Sequence, residues 1–580
     1  MILLQEKYFY SIGIALCLAI TFVSCVSENN QKASSDKGSK YGGTFRVNEV
    51  QEIRTLDPAK LIDAPSHHVL HQIGELLLDL DSSLKLTPEL AESWETSPDG
   101  LTYTYHLRKG VMFHNNPCFP NSKGREMKSS DVKYSFDRIL DLREGAANAT
   151  YFRDKVKGAI DYYKSTENLP YDSTPKVKGV SGFRVVDDYT FAIDLIKPFA
   201  PFKYYVVNGG CYVYPKEAVQ KYGKDFFKNF VGTGPFELDH WVPQQELLLK
   251  KNQSYWGKDS KGGALPYLNE LKWLFIKDEK QQINEFKLGN LEESYRIPTE
   301  FFKSVVGDDG KLTADWSGFI LHRVPALSTQ YYGMLCTSDI FKDKRIRQAF
   351  NYSVDRDRII RYVLQGQAAG SAVHGLVPAS MPNYNANSIK GYVYDLDKAR
   401  ALLTEAGYPN GQGFPEVTLN LNAGGGRNEL VAEAIQEMIS KGLGIKIKMK
   451  VLEWPQHQEL IESGKAPFFR LAWVADYPEP ENFLNLFYSK TIPASGPSFV
   501  NSTRYKNPKF DELFEKALNE LDDIKRYELY AEAEQSAVDD APMLWIFHDL
   551  DFRLVQKYVR DYPSNPMDRR DYKTVWFDNN

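Results

Sequence analysis

Leu101, Tyr103, Tyr105 and Leu107 alternate with Thr102, Thr104, His106 and Arg108, the period-two pattern of a strand with one covered face. Trp94 stands ahead of a Pro98-Asp99-Gly100 turn, so residues 91–113 read as a hairpin. Folding begins earlier, with a strand at Gly42-Gly43-Thr44-Phe45-Arg46-Val47. The period then lengthens. Val132, Phe136, Ile139 and Leu140 share one face of a helix that Ser129 or Ser130 caps. Strands return at Val185-Val186 and Thr190-Phe191-Ala192-Ile193. Val231-Gly232-Thr233-Gly234-Pro235-Phe236 is a tight turn entering another, and mixed strands and helices continue to about residue 320. Beyond Asp343 the helical period dominates. Ile346, Ala349, Phe350 and Val354 form one stripe, and Asp355 or Asp357 caps the helix that follows. Asp395 or Asp397 starts a further helix with Ala399, Leu402, Leu403 and Ala406 inside and Gly407 as its stop. Residues 445–451 alternate as a strand, residues 510–537 read as helix and residues 543–547 as a strand.

One stretch breaks its own pattern. Phe468-Phe469-Arg470-Leu471 leads through Trp473-Val474-Ala475 as a covered strand, and then Asp476 places an acid where the strand should still be apolar. Pro478 and Pro480 forbid a regular continuation.

At 580 residues the chain is too long for one core, and 25% charged with 42% hydrophobic residues is ordinary for a globular protein. A net charge of −5 carries no basic footprint for nucleic acid. At the N-terminus Lys7 precedes an apolar run from Tyr8 to Val23 that ends in Ser24-Cys25. The run has the length of a signal-peptide core. Residues 1–24 resemble a bacterial lipoprotein signal, which implies that Cys25 is lipidated and that the bulk of the chain lies outside the cytoplasm, in the cell envelope, tethered to a membrane. Residues 25–41 then form a polar, disordered tether. Cys118, Cys211 and Cys336 remain, an odd, widely spaced set that is neither a disulfide framework nor a zinc pattern, although one bridge is possible.

Catalytic motifs are missing: no Gly-x-Ser-x-Gly elbow, Walker loop, His-Glu-x-x-His or Cys-x-x-Cys occurs. Gly424-Gly425-Gly426 reads as a flexible turn before an anion cradle. His67, His68 and His71 are the best metal candidate, since His67 and His71 share a helix face, but no third ligand stands at a known spacing. A solvated helix face accounts for them, and neither metal nor cofactor is expected.

Leu86-Thr87-Pro88-Glu89-Leu90-Ala91-Glu92-Ser93-Trp94, with Ser97-Pro98-Asp99-Gly100-Leu101-Thr102-Tyr103 and Leu107-Arg108-Lys109-Gly110, resembles the signature region of the family 5 extracellular solute-binding proteins. The resemblance continues in order through Ser130-Asp131-Val132-Lys133-Tyr134-Ser135-Phe136, Val231-Gly232-Thr233-Gly234-Pro235, Arg345-Ile346-Arg347-Gln348-Ala349-Phe350, Val354-Asp355-Arg356, residues 399–408 and Pro508-Lys509-Phe510-Asp511. It implies an α/β, two-lobed periplasmic-binding-protein-like (class II) fold with an extra α/β subdomain and a ligand cleft between the lobes. On that pattern residues 42–84, 216–325 and 550–580 form domain I of lobe 1, residues 85–215 its domain II, and residues 326–549 lobe 2. The implied function is a non-catalytic, monomeric receptor of an ABC importer that hands peptides to membrane permease subunits driven by ATPase subunits. A nickel chelate, haem, oligosaccharide or signalling peptide on the same fold is the alternative, and an extracellular hydrolase a remote one.

The resemblance also places site residues. Oligopeptide-binding members share an Ala-Asp-Tyr-x-Glu-Pro segment whose aspartate meets the ligand's free α-ammonium; here that residue is Asp476. The strand before it suits backbone pairing of an extended peptide with Ala472 and Val474. Trp473 and Trp454 are expected as pocket walls, Arg470 and Arg427 as partners of the peptide carboxylate, and Glu52 and Tyr151 near the cleft.

Overall fold

The computed structural model describes residues 40–171, 173–423 and 426–578. Cys25, the signal segment, nearly all of the tether and Gly424-Gly425 lie outside the described residues.

The expected hairpin forms as strands Ala91–Thr96 and Thr102–Leu107. Thr190–Asp194 and Phe183–Asp187 extend it into a four-stranded antiparallel sheet. A second four-stranded sheet sets Thr44–Asn48 parallel to Glu270–Leu274, followed by Glu246–Lys251 and Phe236–Val242. One continuous apolar core, including Phe45, Trp273, Tyr105 and Phe136, serves both sheets. The glycines of the 231–236 turn let backbone lie directly on helix Ala64–Ile73, since a Cβ on Gly232 would stand 2.0 Å from the Ile73 carbonyl oxygen.

The third sheet has seven strands, in the order Glu293–Tyr295, Met543–Gln556, Phe319–Met334, Phe468–Val474, Val417–Asn422 and Ile447–Leu452, with Gly370–Ser371 off the second. Met543–Gln556 is far longer than the expected strand at 543–547, and with Phe319–Met334 it forms a long antiparallel pair. The register of that pair shifts between Pro325 and Thr329. On one side of the shift Phe552 and Leu554 pack with Ile283 and Phe302; on the other Met543 and Trp545 pack with Phe483 and Tyr530.

Several alternatives resolve locally. Asp355 and Asp395 are the caps, accepting from the Arg358 and Lys398 amides at 2.9 Å each, rather than Asp357 and Asp397. Neither Ser129 nor Ser130 caps helix Ser129–Ile139; Asp131 accepts from the Lys128 amide, and the Ser129 hydroxyl donates to the Asp187 carbonyl. Residues 510–537 are not one helix but two, Pro508–Asn519 and Asp523–Asp540, because Glu520 is extended and Asp522 caps a new start through the Ile524 and Lys525 amides. The histidines are not on a solvated face. His68 and His71 are buried, His68 Nδ1 lies 3.0 Å from Glu49 Oε2, and the Tyr212 hydroxyl sits 3.3 Å from both His67 Nε2 and His71 Nδ1. Cys118, Cys211 and Cys336 are all free thiols.

Candidate functional site

The apolar start of strand Phe468–Val474 buries Phe468 and Phe469 completely, which anchors it between two neighbours. Against Phe319–Met334 it pairs along its whole length, from Val474↔Ser328 to Phe468↔Met334. On its other side Val417–Asn422 reaches only Phe468 and Phe469. The direction of each backbone group follows from the bonds at the two ends. Ala475 donates to the Leu327 carbonyl at 2.9 Å, and Leu335 donates to the Pro467 carbonyl at 2.9 Å. In an antiparallel ladder alternate residues face the partner, so Trp473, Leu471 and Phe469 bond inward to Phe319–Met334. Arg470, Ala472 and Val474 therefore turn their amide and carbonyl groups to the open edge. His457 Nε2 occupies the Arg470 carbonyl at 2.8 Å. The outward groups of Ala472 and Val474 have no partner among the described residues.

Just past this edge the chain turns, and Asn482 holds the turn. Its Oδ1 accepts from the Trp473 indole at 2.9 Å and from the Asp476 amide at 3.2 Å, while its Nδ2 donates to Asp476 Oδ2 at 3.2 Å. Asp476 is exposed to water, yet protein surrounds it on most sides, as in a recess opening on solvent. That crowding raises its carboxyl above the usual range, while Asn482 and the Tyr151 hydroxyl draw it partly back. Among the described residues it has no cationic partner. The neighbouring acid is different: Glu479 is fully buried and paired with Arg526 Nε at 2.7 Å, with the Tyr527 hydroxyl at 3.1 Å. The chain thus keeps its internal ion pair three residues away and leaves Asp476 uncommitted.

Tyr151 comes from the region of the first antiparallel sheet. Its ring packs edge-on against Tyr205 at 5.2 Å, Tyr205 packs against Tyr477 at 5.2 Å, and the Tyr477 hydroxyl donates to Glu481 Oε2 at 2.5 Å. Burial, then the Asp476 carboxylate, push the Tyr151 phenol well up, and burial pushes Glu481 up to about 7.

The two expected arginines stand in different states. Among the described residues Arg470 has no carboxylate partner: Nη1 donates to Asn422 Oδ1 at 3.0 Å and Nη2 to Gln330 Oε1. Burial lowers its pKa, the mark of a cation short of counter-charge. Arg427 is already paired, with Asp549 Oδ1 at 3.0 Å and the Gln367 carbonyl at 3.2 Å, and its guanidinium lies over the Phe547 ring. Asp549 also accepts from Ser328 and Gln330 at 2.6 Å each, so Gln330 bridges both arginines. Trp473 is half-buried and fixed by Asn482; Trp454 is 46% exposed, its ring 6.0 Å from that of His457. Glu52 pairs with Lys277 at 3.4 Å, and among the described residues no hydrogen bond or ion pair joins it to Asp476. Asn482, Gln330, Asp549 and Tyr205 were not anticipated. Only Asn482 had a local signal, an amide six residues past Asp476 in the same turn.

The model of the bacterial extracellular solute-binding proteins, family 5 (middle region), matches residues 85–495. The dipeptide-binding protein of Escherichia coli is 30% identical over 520 residues, 88% of this chain and 90% of that protein. Haem-binding protein A of Haemophilus influenzae is 28% identical over 550 residues, 93% of each chain. Among solved structures, the ABC transporter-associated periplasmic binding protein DppA from Helicobacter pylori in complex with the peptide STSA superposes with a TM-score of 0.73 at 26% identity, covering 93% of this chain and 99% of that one. Among the described residues no helix is long and apolar enough to cross a membrane.

Proposed function

The chain belongs to the family 5 bacterial extracellular solute-binding proteins, and on that premise we propose that it captures free peptides between its lobes and hands them to the membrane permease of an ABC importer. The observation that carries this reading is Asp476: a carboxylate in a crowded recess, without a cation, beside a strand edge with unpaired backbone groups. An ionised carboxylate in such a place is costly alone and favourable against an ammonium. The edge at Ala472 and Val474 would take the peptide backbone as an added strand, so affinity would depend little on side chains. Arg470, short of counter-charge, is the better of the two carboxylate partners; Arg427 would first have to leave Asp549. Tyr151 closes the recess from the opposite lobe, and Trp473 walls it.

Closure would bend the long strand pair at its register shift, between Pro325 and Thr329 and opposite Asp549 and Leu550. That position coincides with the division into residues 42–325 plus 550–580 and residues 326–549. A lipid on Cys25 would keep the receptor at the membrane face where the permease sits. A haem or sugar would leave Asp476 without its cation, which separates those ligands from peptides. The test is calorimetry on the purified protein with a tetrapeptide and its N-acetylated form. Binding of the free peptide with loss of the acetylated one supports the proposal; equal binding of both overturns it.

A further inference from the structure

We propose that His71, Asp79 and Asp571 form a binding site for a divalent transition-metal ion of the zinc class, pinning the C-terminal segment to the N-terminal lobe. The three residues arise from helix Ala64–Ile73, strand Leu78–Leu80 and the final stretch of chain, and one ligand atom from each lies within 4.8 Å of the others. Bonds of about 2.0–2.2 Å hold the donors of a tetrahedral ion roughly 3.3 Å apart, so small side-chain rotations close the set.

Each group offers one donor atom to the cluster, and each is held by a neighbour. His71 gives Nδ1 to the Tyr212 hydroxyl at 3.3 Å, which leaves Nε2 facing the cluster. Asp79 Oδ2 stands 3.7 Å from that nitrogen, too far for a hydrogen bond, while Oδ1 takes the Arg569 guanidinium and the Leu80 amide. Asp571 is held by the Lys573 ammonium at 2.7 Å and the Lys573 amide at 3.2 Å. The His71 side chain is only 4% exposed and makes no hydrogen bond through Nε2.

Asp79, Asp571, Glu75 and Glu89 stand around this centre together with Arg569 and Lys573. Glu89 accepts the Leu76 amide, and Glu75 accepts from Tyr255 and Trp256; among the described residues neither forms an ion pair. One nitrogen and two carboxylate oxygens suit zinc and leave a position for water, whereas calcium and magnesium prefer all-oxygen sets.

The consequence is structural. The C-terminal segment already docks here through Gln72, which donates to the Arg570 carbonyl and accepts from the Tyr572 amide. The test uses the full chain, stripped with a chelator and titrated with Zn2+ alone, with Co2+ as a spectroscopic probe. Expected are one saturable ion per chain, tetrahedral Co2+ bands, and at least tenfold weaker uptake in both His71→Gln and Asp571→Asn. Asp571 is partly exposed, so its variant tests the site even if the histidine variant misfolds. Peptide titration of the same samples reports folding separately. Absence of saturable uptake at micromolar Zn2+, or uptake unchanged in both variants, overturns the proposal.

Discussion

Replacing Asp476 by Asn removes the charge while keeping an oxygen for the Asn482 Nδ2 donor, now 3.2 Å away, so the turn should survive. What is lost is the charge-assisted bond to a peptide ammonium. Such bonds contribute about 1.5–3 kcal/mol net, and truncating a desolvated charged partner costs about 2–5 kcal/mol. Asp476 is crowded but still reaches water, which places the cost at the lower end, about 2–3 kcal/mol. At about 1.4 kcal/mol per decade this is roughly a 30- to 150-fold rise in Kd. Isothermal calorimetry reads it directly in a cycle of four: wild type and D476N, each with a free tetrapeptide and its N-acetylated form. If the carboxylate and the ammonium meet, the two changes remove the same interaction, and the double change costs scarcely more than either alone. Additive losses would show that Asp476 and the peptide amine act independently, and would refute the geometry.

Val474→Pro removes an amide that faces the open edge and not the strand pair; we expect a loss of about 1 kcal/mol, or five- to tenfold in Kd, for peptides of any sequence, with Tm nearly unchanged. Arg470→Gln should weaken peptides with a free carboxylate by about tenfold, on the scale of one charge-assisted bond, and leave C-terminal amides unaffected. Its denaturant midpoint should hold or rise, because a desolvated cation is removed. Glu534, buried against the Leu376 and Val377 amides and the Tyr384 hydroxyl, is pushed by burial from 4.5 up to about 7. The folded state therefore keeps this proton longer than the unfolded chain, so the Glu534 contribution to stability is fully present below about pH 4.5 and is lost as the pH rises through 7. Glu534→Gln should then gain on the wild type by up to about 3 kcal/mol at pH 8 and little at pH 5, read from urea denaturation at both values.

The hairpin at 91–107 was legible because its period of two is local and uninterrupted. The caps were legible only as alternatives: at 355/357 and 395/397 two aspartates stand two residues apart, and the start of the helix decides between them. The break at 520–522 was hidden, since Leu518, Leu521 and Ile524 carry an apolar spacing straight through it. At the site, the spacing of Ala472, Val474 and Asp476 on one strand could be read, but not which edge lay open, because that depends on how far Val417–Asn422 extends alongside. Long-range partners were equally invisible. Arg427 meets Asp549 across 122 residues, and the histidines of helix Ala64–Ile73 meet not only Glu49 and Asp79 but also Asp568 and Asp571, from the far end of the chain.

The open edge has a consequence beyond ligand capture. Unpaired strand edges invite strands of other molecules, and a receptor crowded on a surface would be exposed to self-association. Here the invitation is brief. His457 stoppers one end at the Arg470 carbonyl, and the turn through Pro478 and Pro480 ends the other. Among the described residues of this edge Ala472 and Val474 alone keep free groups, a span of roughly two rises of 3.3 Å centred on Trp473. That length suffices for a short chain anchored at its charged end, and is too short for a neighbouring molecule's sheet to grow upon.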